Sequence, residues 1–367
     1  MHIQSTDKER LTLAEKFFES FQIGGLKIKN RLVASAMFEY AADDGKITET
    51  FLNHYKKLAQ GGWGLIITGM QAVSASGAIA PIMINAAYPD YVSDMKKVVE
   101  EVHSSGAKIF VQLQHAGTRT FPAEGYDKFS VDDATAEQLD TVIKNFGKAA
   151  ANCKAAGVDG VQIHAAHGFL INSFLSPSTN HRADKFGGSI ENRARLLFEI
   201  YDSIRAGVGE NFIVGVKFPF SDLIEQSITP EESLNVCAEL ERRGLDFIEI
   251  SSGLVMDESK VSFTPRIGKN EAPFLESAKL AADNLKIPVV SVCGYRTPDF
   301  IEKVLNETKI AAVSFGRPTV REPDLPNRWR VDKSRAKCIS CNKCKDSVAD
   351  GVITCQVEKI LSRSKNL

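Results

Sequence analysis

The chain has 367 residues, of which 45 are basic and 46 acidic, so its formal net charge is −1. Hydrophobic residues make up 43% and charged residues 25%, which is the composition of an ordinary globular protein. Because the charges balance and no Lys/Arg-rich block occurs, the sequence argues against a dedicated nucleic-acid-binding protein.

The sequence also argues against a membrane or secreted protein. Residues 1–15 mix charged and isolated apolar side chains and lack the apolar core of a signal peptide. The uncharged stretch 58–89 is interrupted by polar residues and by Pro81, so it does not supply the roughly 20 apolar residues of a membrane helix. We therefore expect a cytoplasmic protein.

Eight short, nearly continuous hydrophobic runs predict parallel strands that are buried on both faces. In chain order they are 31–35, 64–68, 108–113, 160–164, 212–217, 247–251, 288–292 and 311–315. Stretches with helical periodicity lie between them, at 91–104, 136–156, 192–206, 229–243, 272–284 and 297–306. Residues that are typical of helix ends support this division. Thr229 suits the N-cap position and Pro230 suits the first turn of a helix.

Serial βα units of this kind predict an α/β fold, a closed (β/α)8 TIM barrel, over residues 1–330. An open doubly wound sheet is the alternative architecture. No G-x-G-x-x-G motif follows the first predicted strand, which disfavours a dinucleotide-binding sheet. Residues 331–367 are predicted to be a short, Cys-rich C-terminal appendage.

That appendage holds four of the seven cysteines, at Cys338, Cys341, Cys344 and Cys355. In a chain expected to be cytoplasmic, such a cluster indicates metal or redox chemistry more than a disulfide framework. The three remaining cysteines lie among apolar neighbours and are expected to be buried as small hydrophobic residues.

In a TIM barrel the chemistry gathers at the C-terminal ends of the strands. Gly294 after the seventh strand, with Gly316 and Arg317 after the eighth, suits a phosphate site of backbone N–H groups and a guanidinium. Gly316 and Arg317 are also compatible with an ordinary strand-exit turn. Lys217 ends the fifth strand, where an unpaired ammonium would be costly, so it should face an anionic or carbonyl partner.

The segment from His164 to Arg193 carries the most specific pattern, HAAHGFLINSFLSPSTNHRADKFGGSIENR. It resembles the Old Yellow Enzyme family of FMN-dependent oxidoreductases. The resemblance covers most of the chain, including residues 21–31, 112–117 and 314–317.

The resemblance implies an FMN across the barrel mouth that NADH or NADPH reduces and that then reduces the C=C bond of a small α,β-unsaturated carbonyl compound. His164 and His167 would bind the substrate carbonyl oxygen. Residues implied to contact the flavin ring are Ala36, Met37, Phe38, Met70, Gln112 and Lys217, the last as the cation near N1 and the C2 carbonyl. Gly294, Gly316 and Arg317 would hold the phosphate.

One departure from the family concerns proton delivery. Most members have Tyr two residues after the second His, whereas this chain has Phe169, which cannot donate a proton. In enone reduction, either solvent or another side chain would then supply the proton, and Tyr40 is a candidate donor from the first strand's loop. The alternative is a flavin enzyme of different chemistry, such as amine demethylation or NAD(P)H:acceptor reduction.

The cysteine segment resembles that of the family's iron–sulfur branch, which includes the 2,4-dienoyl-CoA reductases, but its C-x2-C-x2-C-x10-C spacing differs from their C-x2-C-x3-C-x11-C. The four cysteines are compatible with a [4Fe–4S] cluster, a Zn²⁺ ion or unmetallated thiols. A non-enzymatic redox-sensing function is a further alternative.

Loops 71–88, 118–132 and 254–270 are expected to shape the substrate pocket. The sequence does not decide the oligomeric state, and a homo-oligomer is one of the alternatives.

Overall fold

Eight parallel strands form one closed barrel in a computed structural model that describes residues 15–120, 129–253 and 271–364. Each strand pairs with the next along the chain, and the eighth pairs with the first. The strands are β1 Leu32–Ala34, β2 Leu65–Ala72, β3 Lys108–Gln114, β4 Gly160–His164, β5 Ile213–Pro219, β6 Phe247–Ser251, β7 Val289–Val292 and β8 Ala312–Phe315. The predicted TIM barrel is confirmed.

Within the described ranges, each of the first seven strands is followed by one long helix. These helices are α1 Glu49–Gln60, α2 Tyr91–Ser104, α3 Ala136–Ala155, α4 Arg195–Val208, α5 Pro230–Arg242, α6 Leu275–Asn284 and α7 Pro298–Glu307. The connection from β4 to α4 adds short helices at Leu170–Leu175 and Ile190–Arg193. Helices Arg317–Arg321 and Leu325–Trp329 follow β8, and the C-terminal segment contains the 3-10 helix Lys343–Asp350 and the helix Gln356–Ser364.

Smaller elements complete the described chain. Antiparallel hairpins are formed by Phe21–Ile23 with Leu26–Ile28 and by Ala42–Asp43 with Lys46–Ile47. Single 3-10 turns occur at Lys16–Phe18 and Gly117–Arg119.

Local sequence explains where the helices begin. Thr229 accepts a hydrogen bond from the N–H of Glu232, whose side chain bonds back to the N–H of Thr229, and Pro230 occupies the first turn. Thr135 and Gln138 form the same capping box at the start of α3, which satisfies N–H groups that have no partner inside the helix. These contacts agree with the start predicted at Thr229 and Pro230.

Strand β2 is longer than its hydrophobic run predicts. It continues past Thr68 because Met70 and Ala72 pair with Gln112 and Gln114 of β3 after a register shift that follows Ile67. The predicted helix 192–206 is likewise divided, since Ile190–Arg193 and α4 meet at Ala194.

The barrel interior is divided into an apolar lower part and a polar upper part. The lower part packs the N-terminal hairpin against inward side chains such as Val33, Ile67, Phe110 and Phe247. One layer higher the strands present buried polar side chains, namely Ser35, Gln112, Gln162, Lys217, Glu249 and Ser314. Polar groups are therefore concentrated beneath the C-terminal mouth of the barrel.

Across the three described stretches, no helix combines the length and apolar character that crossing a bilayer requires. Loop 254–270 and residues 121–128 of loop 118–132 lie outside the described residues.

Candidate active site at the barrel mouth

A cavity of about 240 Å³ opens at the C-terminal ends of β1 and β5–β8. It brings together ten residues that sequence reasoning singled out for flavin binding, catalysis or metal binding. They are Ala36, Met37, Phe38, Tyr40, His167, Lys217, Gly294, Gly316, Arg317 and Cys344. Residues from both ends of the described chain therefore meet in one site.

Three other predicted residues lie near this cavity without lining it. Met70 packs with Phe38 in a small apolar cluster. Gln112 is buried, and its side-chain amide donates to the amide oxygen of Gln162 at 2.7 Å. His164 is buried behind His167.

The two histidines form a connected pair. His167 Nδ1 lies 3.3 Å from His164 Nε2, and His167 Nε2 lies 2.7 Å from the Ser251 hydroxyl. Burial is the main reason that the pKa of His164 lies well below its ordinary value and that the pKa of His167 is lowered to about 3. The positive charges of Lys217 and Arg119 act in the same direction on both rings, and His167 does so on His164. Both imidazoles are therefore neutral at physiological pH, so the pair offers N–H donors without a positive charge.

The loop after β4 sets the position of His167. His164 is the last residue of β4, and the chain then turns through left-handed backbone at His167, φ 66°, and at Gly168, φ 73°. The Asn172 side chain accepts the N–H of Gly168 at 2.8 Å and fixes the turn. A non-glycine residue in this conformation stores strain that is typical of functional sites.

Lys217 has the anionic partner that its buried position predicts. Its ammonium lies 3.2 Å from Glu249 Oε2 and donates to the Ser35 hydroxyl at 3.0 Å. Glu249 is fully buried, and it also accepts hydrogen bonds from Ser35, Ser314 and Gln162 at 2.8, 2.5 and 3.0 Å. Burial acts to raise the pKa of Glu249, but Lys217 and these donors outweigh it and lower the pKa.

Phe169 occupies the place where the family's proton donor is expected. Its ring centroid lies 5.0 Å from that of His164, and the Arg119 guanidinium carbon lies 5.5 Å from the ring centroid. Arg119 Nε also donates to the Gly168 carbonyl at 2.9 Å. This part of the site is therefore hydrocarbon with a cation over the ring.

Tyr40 lines the cavity from the loop after β1. Its backbone is left-handed, φ 59°, and its ring packs edge-on against Phe38 at 4.7 Å between centroids. Burial, with contributions from Cys344 and Asp346, raises the pKa of Tyr40. Its hydroxyl therefore keeps its proton at neutral pH and is able to donate it.

The C-terminal segment closes the β7–β8 side of the cavity. Arg296 donates to the Cys338 carbonyl at 2.7 Å and to the Ser340 hydroxyl. Arg317 donates through Nη1 to the Asn342 side chain and to the Ser340 carbonyl. Asn342, Lys345 and Ile353 of this segment line the cavity.

Farther along the segment, the Ile353 N–H donates to the Glu39 carbonyl at 2.7 Å, which ties the segment to the loop after β1. The buried Glu39 side chain accepts hydrogen bonds from Tyr55 and from the Gly69 N–H. Burial raises the pKa of Glu39 to about 8.

The four clustered cysteines surround a second, smaller cavity of about 20 Å³, which Arg317 and Asn342 also line. Among the residues with described side chains, no three His, Cys, Asp or Glu groups stand close enough together to ligate one metal ion. The sulfurs share one location but not the convergent geometry of a metal centre.

Sequence reasoning missed Glu249 and Arg296. Glu249 is the one charged residue in the apolar strand β6, and a carboxylate in such a run is a signal that it has a buried partner. Arg296 gives no comparable signal, because its partners lie about 40 residues farther along the chain in an irregular segment.

A model of the NADH:flavin oxidoreductase / NADH oxidase family matches residues 16–337. The chain is 31% identical to the NADH oxidase of Thermoanaerobacter brockii over 350 residues, which cover 90% of this chain and 54% of that protein. It is 32% identical to the NADPH dehydrogenase of Bacillus subtilis (strain 168) over 324 residues, 85% of this chain and 93% of that protein.

The solved structure of the Old Yellow Enzyme homologue from Zymomonas mobilis has a TM-score of 0.72 to this chain at 26% identity, covering 87% of this chain and 94% of that one. The chain thus spans about half the length of the Thermoanaerobacter relative and nearly all of the Bacillus relative. The family match ends at Lys337, so the four clustered cysteines lie outside it.

Proposed function

Since the chain belongs to the NADH:flavin oxidoreductase / NADH oxidase family, we propose that it is an FMN-dependent NAD(P)H oxidoreductase that reduces the activated C=C bond of an α,β-unsaturated carbonyl compound. The observation that carries this proposal is the pair of buried, neutral imidazoles at His164 and His167, beside a cavity that contains the Lys217 ammonium.

The residues of the cavity fit FMN. Met37 and Phe38 offer apolar surface for a flat ring, and Lys217 offers a cation at its edge. A Cβ at Gly316 would come within 2.9 Å of the Met37 sulfur, so glycine keeps this approach open. Gly294, Gly316 and Arg317 would hold the phosphate, with backbone N–H groups and the guanidinium as donors. FMN, when bound, would supply the electron pair as a hydride.

The histidine pair would bind the carbonyl oxygen of the substrate. A neutral N–H that donates to this oxygen withdraws electron density from the β-carbon and stabilises the negative charge that grows on the oxygen during reduction. Contacts with His164 and Ser251 fix the orientation of the His167 ring. Because a neutral imidazole carries one N–H, the substrate carbonyl oxygen would take the place of the Ser251 hydroxyl as the partner of His167 Nε2. Such pre-organised donors are the efficient form of electrostatic catalysis.

Tyr40 would deliver the proton to the α-carbon. It lines the same cavity as His167, and its raised pKa leaves the hydroxyl protonated. Phe169 cannot take this role, because its side chain has no acidic hydrogen.

A second candidate function is NAD(P)H:acceptor reduction, or amine demethylation, in which no enolate has to be protonated. Phe169 favours it, since the group that most family members use for protonation is missing. The Thermoanaerobacter relative, described as an NADH oxidase, also supports acceptor reduction.

Anaerobic reoxidation decides between the two functions. Protein reduced by NADH or NADPH is mixed with a panel of enones, quinones and dyes, and the return of the oxidised flavin spectrum is followed. The ene-reductase proposal expects the best enone to react at least about as fast as any quinone or dye. Faster reaction with every quinone and dye than with any enone would overturn it in favour of acceptor reduction.

For Cys338, Cys341, Cys344 and Cys355 we propose metal binding, with a [4Fe–4S] cluster ahead of Zn²⁺ because the segment resembles the iron–sulfur branch. Four thiolates are enough to ligate either metal, and the side chains that line the small cavity would have to converge to do so. Iron, zinc and acid-labile sulfide are measured on anaerobically purified protein. About four iron and four sulfide per chain supports the cluster, about one zinc supports the alternative ion, and neither means that the thiols are unmetallated.

A further inference from the structure

The strongest unexplained feature of the site is the buried carboxylate of Glu249. It lies in the polar upper layer of the barrel with no exposed surface, and it does not line the cavity, whereas its partner Lys217 does. Burying an ionised carboxylate is costly unless the charge is paired and its oxygens accept hydrogen bonds. Such a group calls for a function that an apolar residue would not serve.

The contacts of Glu249 hold the Lys217 side chain in one place. Oε2 lies 3.2 Å from the Lys217 ammonium and accepts the Gln162 amide at 3.0 Å. Oε1 accepts the hydroxyls of Ser35 and Ser314. Ser35 in turn accepts from Lys217 at 3.0 Å, so the carboxylate and this hydroxyl hold the ammonium together.

Strand register makes this arrangement rigid. His164 of β4 pairs with Lys217 of β5, and Lys217 pairs with Glu249 of β6. The three residues therefore lie in one row across adjacent strands at the top of the barrel. A flexible lysine side chain acquires a fixed position here because its partner is on the neighbouring strand rather than on a loop.

We propose that Glu249 is the positioning residue for the Lys217 ammonium, and that through Lys217 it makes the bound flavin easier to reduce. This inference rests on the proposed function, because it needs FMN in the cavity. A fixed positive charge beside a flavin stabilises the negative charge that the ring gains on reduction. Without Glu249, a buried ammonium lacks its counter-ion and either loses its proton or moves toward water.

The sign of the effect separates this role from simple electrostatics. If Glu249 acted only as a negative charge near the flavin, its removal would make the flavin easier to reduce. If it acts by holding Lys217, the Glu249→Gln change makes the flavin harder to reduce. The proposal expects about a tenfold lower ratio of reduced to oxidised FMN at a fixed potential, which is about 30 mV for a two-electron couple.

The test measures FMN content and the flavin midpoint potential on the full-length, FMN-loaded protein. The matched control is Asp246→Asn, which removes the Arg205 ion pair just before β6, at the opposite end of that strand, and should leave the potential unchanged. An unchanged or higher potential in Glu249→Gln overturns the inference. Absence of FMN from the unmodified protein would instead contradict the proposed function.

A second pair of variants decides the question if Glu249→Gln does not fold. Lys217→Met with Glu249→Gln replaces both charges, and removal of a complete buried ion pair is tolerated better than removal of one partner. If Glu249 acts through Lys217, this double variant and Lys217→Met alone have the same lowered potential. The inference is overturned if the double variant keeps the potential of the unmodified protein or differs from Lys217→Met by as much as tenfold in the ratio of reduced to oxidised FMN.

Discussion

The two sides of the barrel mouth are built in different ways. On the β4–β6 side, His164, Lys217 and Glu249 lie in register on adjacent strands and are buried. On the β7–β8 side, Arg296 and Arg317 reach across to a C-terminal segment that itself lines the cavity. The first side takes its geometry from the sheet, and the second takes it from a contact between distant parts of the chain.

Under the proposed function, the two sides of the barrel mouth would have separate tasks. Groups that stabilise developing charge have to be held within a fraction of an ångström, which strands do better than loops. A cofactor phosphate needs hydrogen-bond donors and surrounding chain that covers it, and both are readily supplied by loops and by a segment packed over the site. We therefore expect substitutions on the β4–β6 side to change the rate of the reaction, and substitutions on the β7–β8 side to change the affinity for FMN.

The largest expected effect comes from removing the histidine pair on the β4–β6 side of the barrel mouth. His164→Ala with His167→Ala should lower enone kcat by about a thousandfold, since loss of one such donor costs about 10²–10³. FMN content should stay unchanged. Steady-state kinetics and flavin absorbance measure both quantities, with the exposed His181 changed to Ala as a control. Unchanged turnover would remove the pair from the mechanism.

The next largest effect comes from removing the contacts between the β7–β8 side of the barrel mouth and the C-terminal segment. Arg296→Ala removes charged donors to Cys338 and Ser340, each worth about 1.5–3 kcal/mol. We expect the Kd for FMN to rise by about tenfold or more, while kcat at saturating FMN changes little. Fluorescence titration measures the Kd. The control is Arg242→Ala, which removes the ion pair of the exposed Arg242 with Glu239 on α5. A change in kcat with an unchanged Kd would contradict the division of tasks.

A third variant restores the side chain that the family pattern predicts. Phe169→Tyr places a hydroxyl next to His164, and we expect enone turnover to rise by about tenfold. A positioned acid contributes about 10²–10⁴, and under the proposed function Tyr40 would already supply part of this. Rapid-mixing kinetics with one enone measures the gain. No gain would argue that protonation does not limit the rate and would favour acceptor reduction.

The last prediction concerns the stability of the folded protein and its dependence on pH. Burial lowers the pKa of His167 to about 3 and that of His115 to about 4, from an ordinary value of 6.5. Between pH 6.5 and 4 the unfolded chain binds protons that the folded chain does not, so the free energy of unfolding falls as the pH is lowered, by up to about 1.4 kcal/mol per pH unit per histidine.

Urea unfolding of the full-length protein at pH 6.5, 5.5 and 4.5 measures this slope. His167→Gln removes one of the groups and should make the slope shallower, whereas His181→Ala, which changes an exposed side chain, should not. An identical slope in His167→Gln and the unmodified protein would mean that His167 binds its proton equally in the folded and unfolded chains. That result would contradict the lowered pKa of His167.

The same contrast explains which features could be predicted from sequence. The barrel could be predicted because each strand is a local hydrophobic run, and the partner of Lys217 could be anticipated because a buried ammonium requires one. The identity of Glu249 depends on the register of β5 against β6, which a single sequence does not state. The contacts of Arg296 depend on tertiary packing of an irregular segment and carry no periodic signal.

Extraction of the cofactor tests the central claim most directly. The full-length protein is purified with FMN in the buffers, freed of unbound flavin and denatured, and the supernatant is assayed for FMN. We expect about one FMN per chain, which NADH or NADPH reduces before denaturation in the absence of oxygen. A colourless supernatant that still lacks FMN after attempted reconstitution would contradict the assignment of the barrel mouth as a flavin site.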